Sequence, residues 1–137
     1  MKEYAFYLIL SLLFVSVQAQ EVSFTEYDLE NGLHVILHQD NAAPVITTSV
    51  LYHVGAKDEL ADRTGFAHFF EHLLFEGTKN IGRGEWFSIV SSNGGKNNAY
   101  TNDDYTYYYE IFPSNNLELS LWLESERMLH PIINKIG

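Results

Sequence analysis

An α+β fold, an antiparallel or mixed β-sheet with helices packed on one face, is predicted by three features of the chain. Strand-like segments fill residues 22–54, a strongly apolar helical stretch follows at residues 65–76, and a tyrosine-rich hairpin comes after it. The 137 residues suffice for one modest domain. A hydrophobic content of 46% with 15% aromatic residues supports a packed core and argues against a disordered segment.

Residues 1–19 read as a signal peptide preceding a domain at residues 20–137. Lys2 supplies a positive start, Ala5 to Val17 is apolar, and Val17-Gln18-Ala19 resembles a small-x-small cleavage site. The stretch is too short and wrongly flanked for a stable membrane span. The expectation is an exported protein, periplasmic or secreted.

Residues 22–29 and 33–39 then read as two strands flanking Asn31-Gly32, a strong hairpin signal. Leu33, Val35 and Leu37 alternate with His34, Ile36 and His38, which predicts one apolar face. Beyond the breaker Asn41-Ala42-Ala43-Pro44, residues 45–54 predict a third strand. Ile46, Val50, Tyr52 and Val54 lie on one side of it, and Thr47, Ser49 and His53 on the other. His34, His38 and His53 read as solvent-side or edge residues. Gly65 to Glu76 predicts a helix stopped by Gly77, and Glu85 to Ser92 another stopped by Asn93-Gly94-Gly95. Residues 97–101 and 105–112 predict a hairpin around Asn102-Asp103-Asp104, its tyrosine run packing within the sheet. Asn116 to Leu129 closes the pattern as a helix with Leu117, Leu121, Glu124 and Met128 on neighbouring rows.

Charge and cysteine content exclude several classes. Eight basic against eighteen acidic residues give a net charge of −10, so the chain lacks the basic patch of a nucleic-acid binder or of a protein held on anionic membranes. With no cysteine, neither a disulfide framework nor a thiolate metal site is available.

The chemistry concentrates in His68-Phe69-Phe70-Glu71-His72. At 3.6 residues per turn, positions i, i+3 and i+4 share one helix face, so two imidazoles and a carboxylate can converge. Neutral imidazoles are ordinary Zn²⁺ ligands, and a glutamate beside them can take the proton of a water that the metal activates. Shuffling this composition yields roughly 0.02 matches to the H-x-x-E-H pattern, too few to dismiss it as chance. The competing reading is a buried helix whose histidines and glutamate are merely hydrogen-bonded. Phe66, Ala67, Phe69, Phe70, Leu73, Leu74 and Phe75 make the segment apolar nearly all round, which predicts burial. One Glu and two His buried there need a partner, and a metal would serve all three.

Gly65 to Lys79 resembles the zinc-site helix of the insulinase (pitrilysin) family of metallopeptidases. Asn98-Ala99-Tyr100-Thr101, with Tyr105 to Tyr109 after it, resembles that family's substrate-strand hairpin. The likeness spans residues 22–137 and implies a half-domain of the inverzincin type. It implies Zn²⁺ held by His68 and His72, Glu71 as general base, and Asn98, Ala99 and Tyr100 as an edge that pairs with an extended substrate peptide. It also implies a zinc endopeptidase acting on peptides or small unfolded proteins, with a second homologous half or partner subunit closing over them. The family's third ligand is a glutamate farther from His72 than Gly137 lies. The chain is therefore expected to be the N-terminal part of a peptidase domain, incomplete at its C-terminus and inactive alone. Glu124 and Glu126 stand at the wrong offset. Glu76 sits at the helix end, whereas a site's remaining ligand normally comes from another element. Two alternatives belong to other classes: a non-catalytic subunit of the same fold that holds peptides or assembles, and a metal-sequestering or structural module. Retention of all three motif residues argues against the first, and zinc binding without hydrolysis would favour the second.

Overall fold

The structure, a computed structural model, describes residues 21–133. The expected signal peptide, residues 1–19, lies outside the described residues, as do residues 134–137. The chain divides into two units, one ending at Asn41 and the other beginning at Ala42.

In the first unit, β1 (Thr25–Asp28) and β2 (His34–Leu37) form an antiparallel two-stranded sheet with Tyr27 opposite Val35. The hairpin expected at Asn31-Gly32 forms, with residues 30–32 as its loop. Leu29 N–H donates to Leu33 O and Gly32 N–H donates to Leu29 O, both at 2.9 Å. Only Gly32 takes a positive φ, 85°, which is the type I turn with a bulge. The apolar face is incompletely covered, since Val35 is half-buried while Leu33 and Leu37 stay exposed. His34 is exposed and bonds Asp28 at 2.8 Å, and the exposed His38 bonds the Ser23 carbonyl at 2.7 Å. The Asp28 hydrogen bond raises the His34 pKa.

The second unit is built on an antiparallel sheet in the order β3 (Val45–Tyr52), β5 (Thr106–Pro113), β4 (Lys96–Thr101). Among the described residues all strand pairs are antiparallel, and they form two sheets. Along β5 the pleat sends Thr106, Tyr108, Glu110 and Phe112 to the buried face. Tyr107 and Tyr109 go to the other face, where Tyr107 packs on Tyr100 at 5.3 Å between ring centroids. The tyrosine run thus splits between core and outer face. Helices α1 (Phe66–Leu73), α2 (Trp86–Ser92) and α3 (Leu117–Leu129) pack against these strands. Helix α1 stops earlier than Glu76 because Phe75 and Glu76 N–H turn back to carbonyls three residues earlier, a tightened last turn.

Ile81, Trp86, Val90, Phe112 and Leu123 form the core, with Ile46, Phe75, Ile89 and Leu119 against it. Full burial of such a side chain contributes about 1.5–3 kcal/mol. Helix α3 turns Ser120, Leu123, Glu124, Glu126 and Arg127 inward, while Leu117, Leu121 and Met128 of the expected row are exposed. A charged inward face is tolerable because its groups are paired. The buried Arg127 guanidinium donates from Nε to Glu124 Oε2 at 3.1 Å and from Nη2 to Glu124 Oε1 at 3.2 Å. It also lies 4.2–4.4 Å from the ring centres of Trp86, Tyr108 and Phe75.

Glu110 is the odd charge in this cluster. It is fully buried, accepts a bond from Trp86 Nε1 at 3.1 Å, and meets Arg127 only at 3.5 Å. Its second oxygen has no partner. Because Glu124 already matches the guanidinium, a proton on Glu110 leaves one buried ion pair. Burial, reinforced by the Glu124 charge, pushes the Glu110 pKa up to about 8. The folded chain therefore keeps a proton that the unfolded chain loses near 4.5. This contribution to stability is present in full below pH 4.5 and is lost as pH rises to about 8. Glu110→Gln mimics the protonated form, so its melting temperature relative to the wild type should climb from pH 5 to 8 and level off above. The stability difference behind it should change by at most about 1.4 kcal/mol per pH unit. A difference independent of pH in thermal melts would show that Glu110 is ionised in the native state.

Candidate metal centre

Helix α1 is held at both ends by side chains from outside the helix. The Glu59 carboxylate accepts Gly65 N–H at 2.7 Å and Ala67 N–H at 2.8 Å, covering amides that have no partner within the helix. At the other end Arg127 Nη1 donates to Leu74 O at 3.1 Å. The loop that delivers Glu59 is itself tied to the β4–β5 turn: Ala56 and Lys57 N–H donate to Asn102 and Asp103 carbonyls, both at 3.0 Å. Gly55 permits that approach, for a Cβ there would meet both carbonyl oxygens at 2.5 Å.

Of the helix residues only Ala67 and Glu71 are buried. The expectation of an all-round buried helix is corrected: Phe66, Phe69 and Phe70 are 49%, 53% and 42% exposed. One stripe of α1 meets β4 and β5, and among the described residues Phe66, Phe69 and Phe70 stay largely open. An apolar cavity of about 460 Å³ lies alongside, walled by Tyr52, Val54, Leu60, Phe66, Phe70 and Leu74.

His68 and His72 are exposed, with their Nε2 atoms 3.1 Å apart. Tetrahedral zinc with Zn–N bonds of 2.0–2.1 Å needs ligand nitrogens about 3.3 Å apart, so the pair fits two positions of such a site. Glu71 turns inward at 7% exposure, where its Oε2 accepts the Thr101 hydroxyl at 2.5 Å. The Tyr108 hydroxyl donates to the Glu71 backbone carbonyl at 3.3 Å. Among the described residues no three His, Cys, Asp or Glu side chains converge as a metal-binding set. Glu76 bonds Arg83 at 2.7 Å and Glu124 is committed to Arg127. Glu126 takes Thr78 Oγ1 at 2.7 Å and Asn80 Nδ2 at 2.8 Å, bonds that lower its pKa. The residues present thus fit part of a zinc site.

Asn98, Ala99 and Tyr100 lie in β4, whose outer side pairs with no strand among the described residues. Asn102 N–H donates to Tyr105 O at 3.0 Å, so the ladder's alternation makes 100/107 and 98/109 the hydrogen-bonded pairs. Ala99 opposite Tyr108 is then a non-bonded pair, and its N–H and C=O point to the open edge. The pleat sets Asn97, Ala99 and Thr101 towards the half-buried face and leaves Asn98 and Tyr100 exposed on the other. Of the three residues, only Ala99 shares the face of α1. His53 is exposed.

Glu59, Thr101 and Arg127 escaped the sequence reading. Thr101 closes the very segment singled out for the substrate strand, which was the available signal; Glu59 and Arg127 carried none.

An H-x-x-E-H helix seated on an antiparallel hairpin is the inverzincin arrangement. The chain belongs to the insulinase family, peptidase family M16, whose model matches residues 34–135. It is similar to the zinc protease PqqE of Helicobacter pylori, with 43% identity over 101 residues that make up 73% of this chain and 23% of that protein. It is also similar to the human insulin-degrading enzyme, with 29% identity over 79% of this chain and 11% of the relative. The crystal structure of a protease from Helicobacter pylori superposes with a TM-score of 0.81 at 36% identity, over 84% of this chain and 28% of that one. The chain thus spans less than a quarter of the length of these curated relatives.

Proposed function

We propose that the chain is the metal-binding part of a zinc endopeptidase that hydrolyses peptides or small unfolded proteins. The observation that carries this reading is the imidazole pair with Nε2 atoms 3.1 Å apart, on the same helix as the inward-turned Glu71 and beside the open edge of β4. Similarity to a protein named as a zinc protease supports it. His68 and His72 would hold Zn²⁺, with a third protein ligand drawn from outside the described residues. When bound, zinc supplies Lewis acidity that polarises the scissile carbonyl and acidifies a water.

The chain's own groups do the rest. An extended peptide adds to β4, exchanging backbone hydrogen bonds with Ala99 independently of its side chains. Glu71 accepts a proton as the water oxygen bonds to the carbonyl carbon, then delivers it to the amine nitrogen as the C–N bond breaks. The exposed Phe66, Phe69 and Phe70 suit coverage by further polypeptide, including a second homologous half. The sequence of residues 1–19 supports export, to the periplasm or beyond the cell.

In the full-length enzyme, Glu71→Gln should retain zinc and lose about 10²–10⁴ in rate, since the amide cannot accept the proton. Zinc content falling in parallel with activity would make Glu71 a ligand or a structural group instead. Ala99→Pro should leave the β4–β5 ladder intact, because the Ala99 N–H faces outward, yet remove a donor to the peptide. A large fall in kcat/KM with zinc and folding unchanged is expected; a wild-type rate would take β4 out of substrate binding.

A further inference from the structure

We infer that Thr101 is the positioning residue for Glu71 and ties the orientation of the base to the strand that receives the peptide. This rests on the function proposed above. Thr101 is the last residue of β4, and its hydroxyl is 2.5 Å from Glu71 Oε2. The direction of that bond follows from its surroundings. A neighbouring hydroxyl, Thr106 Oγ1, lies 3.3 Å from Thr101 Oγ1 but gives its single proton to the Val54 carbonyl at 3.0 Å. Thr106 can therefore only accept from Thr101, and a carboxylate is the stronger acceptor at the shorter distance. The Thr101 proton goes to Glu71.

The bond engages Oε2 and leaves Oε1 as the oxygen that takes a proton from water. A glutamate side chain has three rotatable bonds, and ordering it costs rotamer entropy. A fixed donor on a strand supplies that order before substrate arrives. Thr101 lies opposite Thr106 in a non-bonded pair, one step along from Tyr100/Tyr107, so its own N–H and C=O face the same open edge as those of Ala99. One residue thus presents its backbone at the peptide edge and its side chain to the base. Peptide pairing that shifts the strand end moves the carboxylate with it.

The test uses the full-length enzyme with Thr101→Val, which keeps the shape and deletes the donor, and Thr101→Ser, which keeps the donor. Thr101→Ala is the second donor-free variant and is read in the same way should valine prevent folding. The valine variant should lose about 10- to 100-fold in kcat on a quenched-fluorescence peptide, with KM within about twofold and zinc per chain unchanged. Serine should restore kcat to within about threefold. In crystals, the Glu71 carboxylate should turn away from β4 with valine and stay in place with serine. Wild-type kcat in the valine variant, serine as slow as valine, or a carboxylate unmoved by valine would each overturn the assignment. Should the wild-type enzyme not cleave the peptide at all, the proposed hydrolysis falls, and the crystal structures alone decide the role of Thr101.

Discussion

The second unit depends on one buried guanidinium. Arg127 reaches α1 through the Leu74 carbonyl, closes on Glu124 of its own helix, and lies among the rings of Phe75, Trp86 and Tyr108. Desolvating such a charge costs several kcal/mol, and only a full set of partners offsets that cost. Those partners come from α1's end, α2, β5 and α3, so forming the cluster brings the layers into a single arrangement. The unpartnered oxygen of Glu110 marks where the cluster holds one carboxylate more than its cation can balance.

The site inherits its precision from that arrangement. Helix α1 carries an acid, Glu59, at its N-terminal amides and a base, Arg127, at its C-terminal carbonyls, the signs that match its dipole. Both clamps act on the backbone, so neither occupies the outward face where His68 and His72 stand. Glu71, a turn away from His68, faces inward and is fixed by Thr101 and by the contact of Tyr108 with its carbonyl. Two imidazoles on the wet side and a carboxylate on the dry side follow from one helix seated on one hairpin.

The helical repeat, with Gly65 and Gly77 as punctuation, placed the motif on one helix, where the i, i+4 spacing brought His68 and His72 together while Glu71 turned to the buried side. Side-chain alternation likewise located β3, and β-forming residues around Asn102-Asp103-Asp104 located β4 and β5. What stayed hidden was long-range. Thr101 meets Glu71 across thirty residues of chain, and Arg127 meets Leu74 across fifty-three. No local pattern encodes either contact. The exposed phenylalanines show another limit: apolarity says that a helix face seeks cover, and only the packed structure says which stripe receives it. At Asn31-Gly32 the hairpin signal held, and within the loop Gly32 alone adopts positive φ.

Zinc, as proposed, is bound by the two histidines of α1. Zinc-edge X-ray absorption on the zinc-loaded full-length protein tests it most directly. Two imidazoles at about 2.0–2.1 Å, with only oxygen in the rest of the shell, are predicted, and one imidazole after His68→Ala or His72→Ala. Two imidazoles persisting in either variant would contradict the account.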